Sequence, residues 1–114
     1  MFYPGDPAGL RDELLTCLAA VSPAPSFQGD LLKAVIVPHA GYVYSGGTAG
    51  HAYARLAPLA GRIRRVVLLG PCHRVAVRGL AAPTVQAFAT PLGSIALDRA
   101  ALDALADLPQ VVAS

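Results

Sequence analysis

Charge is scarce in this sequence. Asp, Glu, Lys and Arg make up 14% of its 114 residues, against 54% hydrophobic ones, which is well to the apolar side of ordinary globular proteins. Long hydrophobic runs are lacking too, so a membrane segment does not account for the balance. Val66-Val67-Leu68-Leu69 is bounded by Arg65 and Gly70, far short of the roughly 18 residues that a span needs. The start, Met1-Phe2-Tyr3-Pro4, has no basic stretch leading into an apolar one, which argues against a secretory signal. Only two cysteines occur, Cys17 and Cys72, with neither C-x-x-C spacing nor the density of a disulfide framework. A reducing cytoplasm is the expectation. What remains is an α/β protein with strands buried on both faces, together with apolar surface that belongs against further chain.

The length suits one domain. Net charge is +2 and points to no particular partner. Arg62, Arg64 and Arg65 form the basic cluster, but no aromatic residues interleave with them, so a nucleic-acid platform is not expected.

Local signals outline the elements. Asp6-Pro7 opens a helix, with Asp as the cap and Pro where its missing N–H costs nothing. Leu10, Leu14, Leu15 and Leu18 recur at helical spacing, and Cys17 falls on their apolar side. Ser22-Pro23-Ala24-Pro25-Ser26 ends that helix in a loop. Leu32 to Val37 and Arg65 to Leu69 read as buried strands. Between them come a turn-rich segment, His39 to Gly47, and a helix over Thr48 to Leu59. That βαβ arrangement predicts two parallel strands joined right-handedly. Shorter strands follow at Arg78 to Ala82 and Thr84 to Ala89. Thr90-Pro91-Leu92-Gly93 turns the chain into Ser94 to Leu97, and Asp98 caps a last helix through about Leu108.

The placement of two histidines carries the chemistry. His39 stands just past the first predicted strand and His73 just past the second. In a parallel sheet both lie at the carboxyl edge, where open α/β sheets bind ligands. Neighbouring strands lie about 4.8 Å apart, so two imidazoles are able to share an ion, at about 2.0–2.1 Å each for zinc. Two histidines commonly need a carboxylate beside them. A single loop histidine is more often structural than ligating, and the shared edge is what raises this pair. His51, inside a predicted helix, reads as a packing or surface residue. Gly41 to Thr48 has the glycine spacing of a phosphate loop, but Gly47 stands where the lysine belongs, which argues against nucleotide hydrolysis. A glycine-rich helix entry still exposes N–H groups to an anion. Cys72 has no oriented base in view and is not read as a nucleophile.

Val37-Pro38-His39-Ala40-Gly41-Tyr42-Val43-Tyr44-Ser45-Gly46 resembles the signature of the MEMO family, whose bacterial members are labelled AmmeMemoRadiSam system protein B. So does Leu68-Leu69-Gly70-Pro71-Cys72-His73-Arg74-Val75, with Cys72 where the family usually has Ser. Phe2-Tyr3-Pro4 and Thr90-Pro91-Leu92-Gly93 match two further landmarks in order. The resemblance implies a three-layer α/β sandwich with a mainly parallel sheet, similar to class III extradiol dioxygenases, which bind non-haem Fe(II) through two His and one Glu. It implies His39 and His73 as metal positions for Fe(II) or Cu, and Phe2 and Tyr44 as pocket-lining positions for a small-molecule or peptide ligand. In the human member that pocket is associated with phosphotyrosine peptides and with iron or copper.

Family members are more than twice as long, and the remaining metal-site residue lies in the part beyond. The chain is therefore expected to be a single partial domain, residues 1–114, with an incomplete ligand set and a tendency to self-associate. Three functions stand against each other: a metal site with redox or dioxygenase-like chemistry, a non-enzymatic module for an aromatic or phosphotyrosine-type group, and a fragment without independent function.

Overall fold

Asp6 starts the first helix as its sequence requires. In the computed structural model, which describes residues 1–20 and 32–114, α1 spans Pro7–Ala19, and Asp6 Oδ2 accepts from the Gly9 N–H at 2.7 Å. A Cβ on Gly9 would lie 2.8 Å from both Asp6 carboxylate oxygens, so the cap depends on a residue without a side chain at that position. The Ser22 to Ser26 loop lies outside the described residues.

The chain forms two units, Met1–Val66 and Val67–Ser114, and each has its own packing. In the first, α1 lies against α2, Tyr42–Leu56, which a short 3-10 turn at Ala57–Leu59 continues. The contact is built from small groups. Gly46 and Gly50 are buried, and Cβ atoms on them would meet Cys17 at 3.0 Å from Sγ and 2.6 Å from the carbonyl oxygen. Leu10, only 4% exposed, is the one buried hydrophobic side chain of size among the described residues. Its burial is worth roughly 1.5–3 kcal/mol.

α2 corrects the expected turn. The sequence predicts a turn-rich segment from His39 to Gly47 and a helix only from Thr48, yet the helix begins at Tyr42. Glycine is a poor helix former. Here the close approach to Cys17 outweighs propensity, since no larger residue lets the two backbones come so near.

The second unit holds a parallel pair and a hairpin. β1 (Leu80–Ala82) pairs in parallel with β4 (Val111–Ala113), with Leu80 opposite Val111. Gly79 takes φ +98°, and a Cβ there would collide with the Gln110 carbonyl oxygen, the same oxygen that accepts from Leu80 N–H at 2.7 Å. β2 (Ala87–Thr90) and β3 (Gly93–Ala96) form the antiparallel hairpin that the Thr-Pro-Leu-Gly turn predicts. Thr90 Oγ1 donates to the Gly93 carbonyl at 2.9 Å, and Gly93 takes φ +135°. α3 covers Arg99–Leu105, with Asp98 Oδ1 accepting from Ala101 N–H at 3.0 Å. It stops short of Leu108, and the strand at Val111–Ala113 follows. The Arg99 guanidinium ties α3 to the carbonyls of Pro83 and Val85 at 2.6 and 3.2 Å. Its ion pair with the exposed Asp103 adds little stability.

The protein is thus mixed α/β with a small parallel sheet, but that sheet is not built from the segments expected to form it. Residues 32–37 and 65–69 carry no strand structure. Val66, Val67, Leu68 and Leu69 are 74–83% exposed, and Ile36 is 99% exposed. A β-branched run becomes a parallel strand only when neighbours pair with it and layers cover both faces. The described residues supply neither. Among them, no helix is long and apolar enough to cross a membrane.

Candidate functional site

The start of α2 gathers three of the four residues singled out above. Gly41 is the N-cap and offers no side-chain hydrogen bond. The first turn is satisfied instead by backbone: the Phe2 carbonyl accepts from Tyr42 N–H at 2.8 Å, and a Cβ on Gly41 would lie 3.6–3.7 Å from Phe2 and Met1 backbone atoms. The N-terminal segment is therefore laid along the entry to the helix. Phe2 remains 65% exposed, and Tyr44, two residues into α2, is 85% exposed. His39, also exposed, precedes Gly41 by two positions.

Ser45 holds this loop to the helix. It is buried, and its hydroxyl lies 3.0 Å from the Ala40 carbonyl and 3.4 Å from that of Gly41. Tyr44 and Ser45 N–H groups donate to the Gly41 carbonyl at 2.9 and 3.1 Å. With Tyr42 N–H taken by Phe2, the anion-holding role suggested by the glycine-rich entry has lost its leading donor. Neither Ser45 nor the Phe2 carbonyl is marked by residue spacing. A serine that back-bonds to a helix entry looks in sequence like any other.

His73 lies in a bend of the second unit and is exposed. His51 sits on α2 with Nδ1 2.8 Å from the Gly47 carbonyl, the local bond of a surface helical histidine, as read from the sequence. Among the described residues no group of three or more His, Cys, Asp and Glu is placed to hold a metal ion. Neutral imidazole is a ligand type suited to iron or copper, and His39 and His73 belong to different units of the chain.

The residues next to Phe2 and at the start of α2 form an aromatic pair. The Tyr3 and Tyr42 rings are tilted at 42° with centroids 5.8 Å apart, within the range of favourable aromatic pairs. Burial pushes the Tyr42 phenol above its usual value, and nearby Tyr3, Tyr53, Cys17 and Glu13 add to the shift. The folded chain therefore prefers the neutral phenol. This contribution to stability is fully present below the ordinary tyrosine range, about pH 10, and is lost as pH rises through the higher folded value. Unfolding midpoints followed through the alkaline range should fall with pH, and Tyr42→Phe should flatten that fall. An unchanged slope in the variant would show that Tyr42 is not its source.

Comparison with known proteins bears on the whole chain. The family model described as Memo-like protein matches residues 1–114. A MEMO1 family protein of Methanopyrus kandleri is 39% identical over 107 residues, covering 85% of this chain and 36% of the relative. Protein MEMO1 of Xenopus tropicalis is 45% identical over 67 residues, 59% of this chain and 22% of the frog protein. Human protein MEMO1 is 40% identical over 67 residues, again 22% of its length. The chain spans little more than a third, at most, of the relatives it matches here. With a full-length family match and its histidine-bearing motifs in order, this chain belongs to the Memo-like family.

Proposed function

We propose that residues 1–114 supply the histidine and aromatic side of a metal pocket in a three-layer, extradiol-dioxygenase-like α/β fold. His39 and His73 are its two imidazole ligands, and Phe2 and Tyr44 line its open side. The observation that carries this reading is the fastening of the Phe2 backbone onto the first amide of α2, which groups Phe2, the His39 loop and Tyr44 at one helix entry. Bound Fe(II) or Cu would supply redox chemistry. The chain's own residues hold the ion by neutral imidazole and present aromatic surface to a ligand. Such a centre needs a further ligand, commonly a carboxylate, beside its two imidazoles. Metal analysis of the purified protein tests the reading: about one iron or copper per chain supports it, and metal-free protein that still binds an aromatic ligand argues against it.

The exposure of Phe2 and Tyr44 favours a second reading, a non-enzymatic module in which this aromatic wall receives a phenyl or phosphotyrosine-type group without metal. Under either reading the bare apolar run at 66–69 promotes self-association. Light scattering should show mass rising with concentration, and a monodisperse monomer that unfolds in one cooperative step would contradict this.

A further inference from the structure

The aromatic surface depends on residues 1–3 staying seated on α2, and an exposed segment stays ordered only when something ties it down. Here the ties are two. The Phe2 carbonyl holds Tyr42 N–H at 2.8 Å, and the next side chain, Tyr3, sets its ring 5.8 Å from that of Tyr42. Exposure along the segment fits a division of labour: Met1 is fully exposed, Phe2 is 65% exposed and Tyr3 only 39%. Phe2 is the more fully displayed of the two aromatic rings, and Tyr3 the less exposed. Both ties converge on one residue of α2, so loss of either loosens the other.

We propose that Tyr3 is a positioning residue, a clamp that holds the N-terminal segment on Tyr42 and so presents Phe2 at the helix entry where Tyr44 stands. The class of ligand served is an aromatic ring, bearing a phosphate or not. This deepens the aromatic-pocket reading and rests on it, but the clamp has its own observable. The hydrogen bond from Tyr42 N–H replaces the side-chain cap that Gly41 lacks, so exchange of that single amide reports whether the segment is seated.

The experiment compares the whole chain with its Tyr3→Ala, Tyr3→Phe and Phe2→Ala variants. Amide exchange at Tyr42 is followed by NMR, and binding is measured with phenyl phosphate as the probe. Tyr3→Ala should speed exchange at Tyr42 and weaken phenyl phosphate binding, each by about two- to tenfold, the worth of one such ring pair. Exchange at Gly50, in the middle of α2, should stay unchanged. Tyr3→Phe keeps the ring and should behave like the parent. Phe2→Ala should weaken binding while leaving the Tyr42 amide protected, since the carbonyl remains. Unchanged Tyr42 exchange in Tyr3→Ala overturns the clamp, and so does equal acceleration at Tyr42 and Gly50, which would mean general unfolding. If the parent chain fails to bind phenyl phosphate, the pocket reading falls, and the clamp is still decided by the Tyr42 amide.

Discussion

Gly50→Ala should destabilise the protein, and Gly47→Ala, three residues away on the same helix, should stabilise it. Both changes gain the same intrinsic preference, because alanine in a helix interior is better than glycine by roughly 0.5–1 kcal/mol. They differ in what the new methyl group meets. At Gly47 nothing lies within 4 Å. At Gly50 a Cβ would lie 2.6 Å from the Cys17 carbonyl oxygen and 3.1 Å from its carbonyl carbon. Those are backbone atoms of α1, which cannot swing aside as a side chain can. Separating the helices forfeits close packing over the whole contact, at a typical cost of about 1–3 kcal/mol. The net expectation is a loss of about 1–2 kcal/mol for Gly50→Ala and a gain of about 0.5–1 kcal/mol for Gly47→Ala. Urea unfolding of the two variants beside the parent reads both signs in one experiment. Should Gly50→Ala stabilise as Gly47→Ala does, α1 and α2 do not meet at this spacing.

That pair of glycines also shows where sequence reading stops. The caps at Asp6 and Asp98 are legible because their partners, Gly9 and Ala101, lie three residues away. The hairpin is legible because Thr90-Pro91-Leu92-Gly93 contains its own turn chemistry. The true start of α2 is not, because the glycines that weaken its helical signal are held against α1, with Gly46 facing the Cys17 sulfur and Gly50 the Cys17 backbone, both distant in sequence. Val111 to Ala113 is too short to announce a strand and becomes one by pairing with Leu80 to Ala82 beside Gly79. The runs at 32–37 and 65–69 have strand composition without strand neighbours. Composition records what a segment suits, and pairing decides what it becomes. Of the residues proposed for the pocket, Phe2, His39 and Tyr44 are suggested by family landmarks, and the bond from Tyr42 N–H to the Phe2 carbonyl holds the first at the entry to α2. The Tyr3–Tyr42 pair and the Ser45 staple come from contacts that no motif spacing encodes.

The second large effect expected is loss of metal binding on removal of either His39 or His73. Among the described residues no group of three or more potential ligands is placed to hold a metal ion, so the loss of either imidazole is not made good by such a cluster. His39→Ala and His73→Ala should each weaken binding by more than the roughly 10–100-fold that loss of an outer-shell partner costs. Binding in the parent should fall in acid, because protonated imidazole cannot coordinate. His51→Ala is the control: its ring bonds locally to Gly47 on the exposed face of α2, and its removal should leave the titration nearly intact. The most direct measurement is a Cu(II) titration of the parent chain and these three variants, with Fe(II) and Zn(II) in parallel, read by calorimetry. The expected result is saturable binding in the parent and in His51→Ala, and none at the same concentrations in His39→Ala or His73→Ala. If His51→Ala loses as much as the other two, or if His39→Ala or His73→Ala binds like the parent, His39 and His73 do not form a shared metal site.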